Sequence, residues 1–104
     1  MTPTFKDIKF ETHPHSGGWA GNLKFHNGVR MSIVCGDFAY CTPKLTLKNV
    51  EEYSSFEVAL LDSTNEFCTK KIIPEAEDDV IGWASPKNIE EIISKIETFK
   101  KGEI

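Results

Sequence analysis

The chain predicts an α+β domain: an antiparallel β-meander of about five strands with one C-terminal amphipathic helix packed on one face of the sheet. Three observations carry that prediction. Residues 19 to 35 alternate apolar and polar side chains on either side of Asn27-Gly28, the pattern of two half-buried strands around a hairpin turn. Residues 56 to 61, "FEVALL", read as a further buried strand. Residues 85 to 102, "SPKNIEEIISKIETFKKG", switch to a period of three and four, which gathers the apolar side chains into one helical stripe.

The first clear strand is 19 to 26. Trp19, Gly21, Leu23 and Phe25 share one face, and Ala20, Asn22, Lys24 and His26 the other. Asn27-Gly28 accepts positive φ at both positions, so a two-residue type I′ turn is expected. The return strand, 29 to 35, puts Val29, Met31, Ile33 and Cys35 on one side and Arg30, Ser32 and Val34 on the other. Gly36-Asp37 ends it. Residues 38 to 54 read as a loop in which "KLTLKNV" alternates as a short edge strand would. After the strand at 56 to 61, "DSTN" is turn chemistry, because these side chains bond the local backbone. Residues 66 to 73 are then expected to return as a partner strand, "EAEDD" to form a solvated loop, and "VIGWA" at 80 to 84 a short strand or extended arm.

The helix has its own punctuation. Ser85 suits the N-cap and Pro86 the first helical position. Glu90 and Glu91 lie towards the positive end of the helix dipole, Lys100 and Lys101 towards the negative end. Gly102 is the expected stop. Ile89, Ile92, Ile93, Ile96 and Phe99 form the stripe. A helix of this length does not hold in water alone, so it must cover the sheet, and Ile93→Asp is expected to unfold the domain.

At 104 residues the chain is read as a single domain, residues 1 to 104. A composition of 39% hydrophobic and 27% charged residues is that of a globular protein, not a disordered one. The net charge of −4 and pI of about 5.3 argue against nucleic acid as a partner, since a backbone binder shows a basic face. No apolar run approaches 18 residues, so no membrane span is expected. The start, "MTPTFKDIKF", lacks an apolar h-region and does not read as a secretory signal. Three cysteines cannot all pair within one chain. Reduced thiols in a cytoplasmic setting are therefore expected.

The chain resembles a group of small uncharacterised proteins encoded by phages and prophages. The resemblance runs through His13-Pro14, Gly17-Gly18, Phe25-His26-Asn27-Gly28, "SIVCG" at 32 to 36, "FEVALLD" at 56 to 62, "DDVIG" at 78 to 82 and the closing Ile-rich helix. It covers most of the chain on turn and core residues, and it implies a fold and a host-cell cytosol but no activity. One Arg against eleven Lys suits an AT-rich phage genome.

The motifs that could carry chemistry are weak. His13 and His15, in "ETHPHSGGWAGN", could chelate from an extended segment, where alternate side chains share a face. No tight Cys or His pair completes a zinc set, so no cofactor is expected and the two histidines stay weak metal candidates in a bend. A reactive thiol needs a lowered pKa. Cys35 lies on an apolar face, Cys68 could point either way, and Cys41 is the one thiol expected to be exposed. Gly17-Gly18 with Gly21 lacks the following Gly-Lys and helix of a phosphate loop. The neighbouring acid pairs Glu51-Glu52, Asp78-Asp79 and Glu90-Glu91 point apart.

Four aromatics, Trp19, Phe38, Tyr40 and Trp83, are the candidate binding residues, because aromatics dominate interface hot spots; the competing reading places them in the core. The expectation is a non-enzymatic phage or prophage accessory protein that binds a protein partner, with no catalytic residue. A small metal- or thiol-dependent enzyme or ligand-binding protein using His13, His15 and a cysteine is the alternative, and a virion or assembly component a third. The sheet's second face, with Ala20, Lys24, Arg30, Ser32 and Val34, leaves a symmetric homodimer open.

Overall fold

A computed structural model describes residues 3–12 and 18–104. The described residues form five strands: β1 (Lys9–Thr12), β2 (Trp19–Lys24), β3 (Arg30–Cys35), β4 (Phe56–Leu61) and β5 (Val80–Ala84). A short helix α1 (Thr69–Ile72) precedes β5, and α2 (Pro86–Glu97) follows it. The five strands form one antiparallel sheet in the order β1-β2-β3-β4-β5. This is the expected α+β meander with a helix on one face.

Burial follows the pleat. Met31, Ile33 and Cys35 on β3 and Phe56, Val58 and Leu60 on β4 point inward and are fully buried. Ile89, Ile92, Ile93 and Ile96 of α2 press against them, each contributing roughly 1.5–3 kcal/mol of transfer free energy. Ser85 caps α2: its Oγ accepts from Asn88 N at 3.1 Å, and its own N–H donates to Asn88 Oδ1 at 3.2 Å. No helix among the described residues is long and apolar enough to cross a membrane.

The β2–β3 turn differs from expectation. Phe25 N–H donates to Val29 O at 2.9 Å and Gly28 N–H to Phe25 O at 3.1 Å, and only Gly28, at φ 93°, is left-handed. The loop therefore holds three residues, His26, Asn27 and Gly28, and is not type I′. Asn27 keeps negative φ because its side chain is committed elsewhere. Oδ1 accepts from Val29 N at 3.1 Å, and Nδ2 donates to Ile96 O and Phe99 O, both at 2.9 Å. His26 accordingly leaves the wet face of the sheet and reaches Glu97, Nε2 to Oε2, at 3.0 Å. The same Asn27 bonds close α2 at Glu97, short of Gly102, which instead turns the following segment at φ 94°.

Two expected strands are absent. Residues 66 to 73 pair with β4 only through a Leu61–Phe67 bridge and then coil into α1. The cause is Thr69, whose Oγ1 accepts the Leu60 N–H at 3.0 Å and donates to Asp79 O at 2.6 Å. A side chain thus satisfies the backbone that a partner strand would have taken. In residues 38 to 54, "KLTLKNV" is loop, with a 3-10 turn at Val50–Glu52. Its backbone also bonds side chains: Tyr53 OH accepts from Leu47 N at 2.8 Å and donates to Leu45 O at 2.6 Å. Trp19 Nε1 donates to Leu47 O at 3.1 Å. Conversely β1, too short and charged to stand out in the sequence, pairs with β2 as an edge strand.

Candidate functional site

The register between β4 and β5 creates the most unusual feature of the surface. Phe56 pairs with Ala84 and Val58 with Ile81, so two residues of β5, Gly82 and Trp83, stand opposite Glu57 alone. An extra residue on one strand is a β-bulge, which re-aims side chains and recurs next to functional sites. Trp83 adopts φ 52°, a left-handed backbone that costs a bulky L-residue on the order of 1–3 kcal/mol. Its side chain is nevertheless 60% exposed.

Tyr40 holds the bulge in place. Trp83 N–H donates to Tyr40 O at 2.9 Å, and Tyr40 N–H donates to Glu57 Oε1 at 3.2 Å. The Tyr40 and Trp83 rings lie with centroids 5.3 Å apart at 32°. Gly82 permits this approach, because a Cβ there would stand 2.9 Å from Tyr40 Cβ. Lys44 Nζ sits over the Tyr40 ring at 4.7 Å from its centroid, a cation–π contact. The outcome is an exposed aromatic pair anchored through its backbone, with one ammonium over the Tyr40 ring and one carboxylate bonded to the Tyr40 amide.

The four aromatics expected to bind therefore part company. Tyr40 and Trp83 come together at the surface. Phe38, 39% exposed, lies over Gly18 and Gly36, where a Cβ on either would come within 2.6 Å of its ring. Trp19 is half-buried and tied to the 38–54 loop by its indole N–H, which makes it a scaffold residue. Phe67, 52% exposed beside Leu61, escaped the sequence reading. Its position across a strand bridge from an outward leucine was the missing signal.

The thiol candidates do not support nucleophilic chemistry. All three cysteines are reduced and buried. Burial, with the neighbouring Cys41, pushes the Cys35 thiol up to about 12, and burial also raises Cys68. Cys41, expected to be exposed, is 2% accessible. Its sulfur accepts from Gly36 N at 3.3 Å and donates to backbone carbonyls at Gly36 and Pro43. The loop folds inward at this point because the sulfur closes the turn after β3. His13 and His15 lie outside the described residues. Among the described residues, no three His, Cys, Asp or Glu side chains gather where they could hold a metal ion.

Geometry therefore defines a class, a sheet-and-helix α+β domain presenting an aromatic pair on a bulge. No family model, curated protein or solved structure matches the chain.

Proposed function

We propose that this chain is a non-enzymatic accessory protein of a phage or prophage, acting in the host cytosol by binding a macromolecular partner through the Tyr40–Trp83 pair. The single observation that carries the binding role is Trp83 itself: a large aromatic held in a strained backbone conformation and left 60% exposed. Strain persists only where surrounding structure over-determines it, and such positions cluster at ligand clamps and switches. Tryptophan and tyrosine are also the residues that most often dominate interface energetics. A prefixed ring pair loses little side-chain entropy when it docks. The burial of all three thiols weighs against the thiol-dependent form of the alternative reading.

The test uses Trp83→Gly, since glycine accepts positive φ without cost and keeps the bulge while deleting the ring. Immobilised wild-type protein is expected to retain a stoichiometric partner from bacterial lysate, and Trp83→Gly to lose it. Equal retention by both proteins, or retention by neither from lysate to which a second, differently tagged copy of the chain has been added, would reject the proposal.

A further inference from the structure

The face of the sheet opposite α2 carries a pattern that a list of its residues hides. The strand register sorts its outward side chains into three rows running across the strands. One end row is Lys24–Arg30–Leu61, extended by Phe67. The middle row is Lys9–Asn22–Ser32–Ala59–Val80. The other end row is Glu11–Ala20–Val34–Glu57, continued by Gly82 and Trp83 opposite Glu57. The face is thus basic along one end and acidic along the other, with a small, largely uncharged strip between β2 and β5. An exposed apolar side chain closes each end on the β4–β5 side, Phe67 at the basic end and Trp83 with Tyr40 at the acidic end. The two ion pairs found among the described residues, His26–Glu97 and Lys95–Glu75, both involve α2 and leave this face alone.

Such a surface is complementary to itself. A two-fold rotation about the middle row keeps the strand order and exchanges the two ends. Lys24 of one copy then lies over Ala20 of the other, one strand spacing (about 4.8 Å) from Glu11. Arg30 lies over Val34, equally close to Glu57. Trp83 and Tyr40 meet Leu61 and Phe67. Each contact occurs twice, as an isologous interface requires. Between Asn22 and Val80 the middle row holds only short side chains, so two sheets can approach closely there. Lys9, at the β1 end of the row, meets its own copy across the axis, and its exposed position on the edge strand lets both ammoniums turn into solvent. A rotation about an axis along the strands would instead set the basic end of one copy against the basic end of the other, and the acidic end against the acidic end, which like-charge repulsion disfavours.

We infer that the open sheet face binds a second copy of this chain, with the two-fold axis along the Asn22–Ser32–Ala59–Val80 row. The inference rests on reading the Tyr40–Trp83 end as a docking surface, and it names the partner that fits it. The Arg30 guanidinium, held by Asn22 Oδ1 at 2.6 Å and Asn65 Oδ1 at 3.3 Å, already lies along the face rather than out in solvent. The Asp62 carboxylate, next to Leu61, is occupied by the Thr64 hydroxyl and the Thr64 and Glu66 amides. Those bonds hold it in its charged form, so it offsets part of the positive charge at that end, where Lys24 and Arg30 still outnumber it.

Sedimentation equilibrium on the full chain across the micromolar range tests this. Wild-type protein is expected to dimerise. Lys24→Glu and Glu11→Lys, both at exposed positions, should each weaken the dimer at least about tenfold by setting like charges together. The double variant should restore it, because every copy then carries both exchanged charges. Trp83→Gly should weaken it too, and Ala59→Arg, beside the axis, should abolish it, with circular dichroism checking that each variant is folded. A wild type that stays monomeric, or a dimer indifferent to Lys24→Glu and Trp83→Gly, overturns the inference. So does a double variant that fails to recover. A monomer that still captures a lysate protein through Trp83 rejects the second copy as partner but leaves the docking role standing, so the two failures are distinguishable.

Discussion

Asn27 in the β2–β3 turn donates its side-chain amide to the carbonyl of Ile96 at 2.9 Å, across 69 positions of sequence. One residue thereby organises a hairpin and terminates a helix. Its Oδ1 shapes the turn through Val29 N, and its Nδ2 donates to the Ile96 carbonyl in the last turn of α2 and to the Phe99 carbonyl just beyond it. Asn27→Ala removes all three bonds in a buried setting and should cost about 2–4 kcal/mol. Asn27→Asp keeps the acceptor for Val29 N but turns an anionic oxygen towards the Ile96 and Phe99 carbonyls at the negative end of the helix, and should be at least as destabilised as the alanine variant. Urea denaturation of the three proteins checks the order.

Thr69 does a comparable job in the core, joining the β4 backbone to the loop before β5 with no exposed surface. Thr69→Val preserves shape but leaves the Leu60 N–H and the Asp79 carbonyl without that partner, so a loss of about 1–3 kcal/mol is expected. Thr69→Ser, which retains the hydroxyl, should be milder. An equal midpoint for Val and wild type in urea would show that the hydroxyl is dispensable.

Much of this architecture was legible from sequence because its causes are local. The β2–β3 alternation, the Ser85-Pro86 start and the isoleucine stripe of α2 each act within one element. The errors fall where distant partners decide. Nothing within residues 66 to 73 says that Thr69 will take the Leu60 amide, and nothing within 38 to 54 says that Tyr53 will hold Leu45 and Leu47. The site shows the same division. Tyr40 and Trp83 were both singled out, but as separate aromatics. Their union depends on a one-residue slip between β4 and β5, which exists only as a register.

That slip makes a prediction about stability. At φ 52° glycine is unstrained whereas alanine is not, so Trp83→Gly should be more stable than Trp83→Ala by about 1 kcal/mol. The reverse order in thermal or urea unfolding would show that Trp83 is not strained. The usual preference at a strand position runs the other way, which makes the comparison discriminating.

The Cys35 thiol gives a pH signature. Its value in the fold is raised from 9.0 to about 12, so the native state holds the proton more tightly than the unfolded chain does. The stabilisation this represents is complete below about pH 9 and is lost as pH climbs towards 12. Wild-type protein should lose more stability than Cys35→Ala between pH 8 and pH 10.5, roughly the window in which an unfolded thiol ionises. Parallel slopes for the two proteins would contradict the assignment. In the native protein at neutral pH, all three thiols should react with a disulfide reagent only as fast as the fold opens.

The placement of α2 has a consequence during synthesis. The strands that supply Met31, Ile33, Val58 and Leu60 leave the ribosome before residues 86 to 97 do, so the nascent sheet emerges with its oily side bare. Folding therefore completes only once the last of the four isoleucines arrives, and any ribosome stalled upstream would release a sticky fragment fit for chaperone capture or degradation.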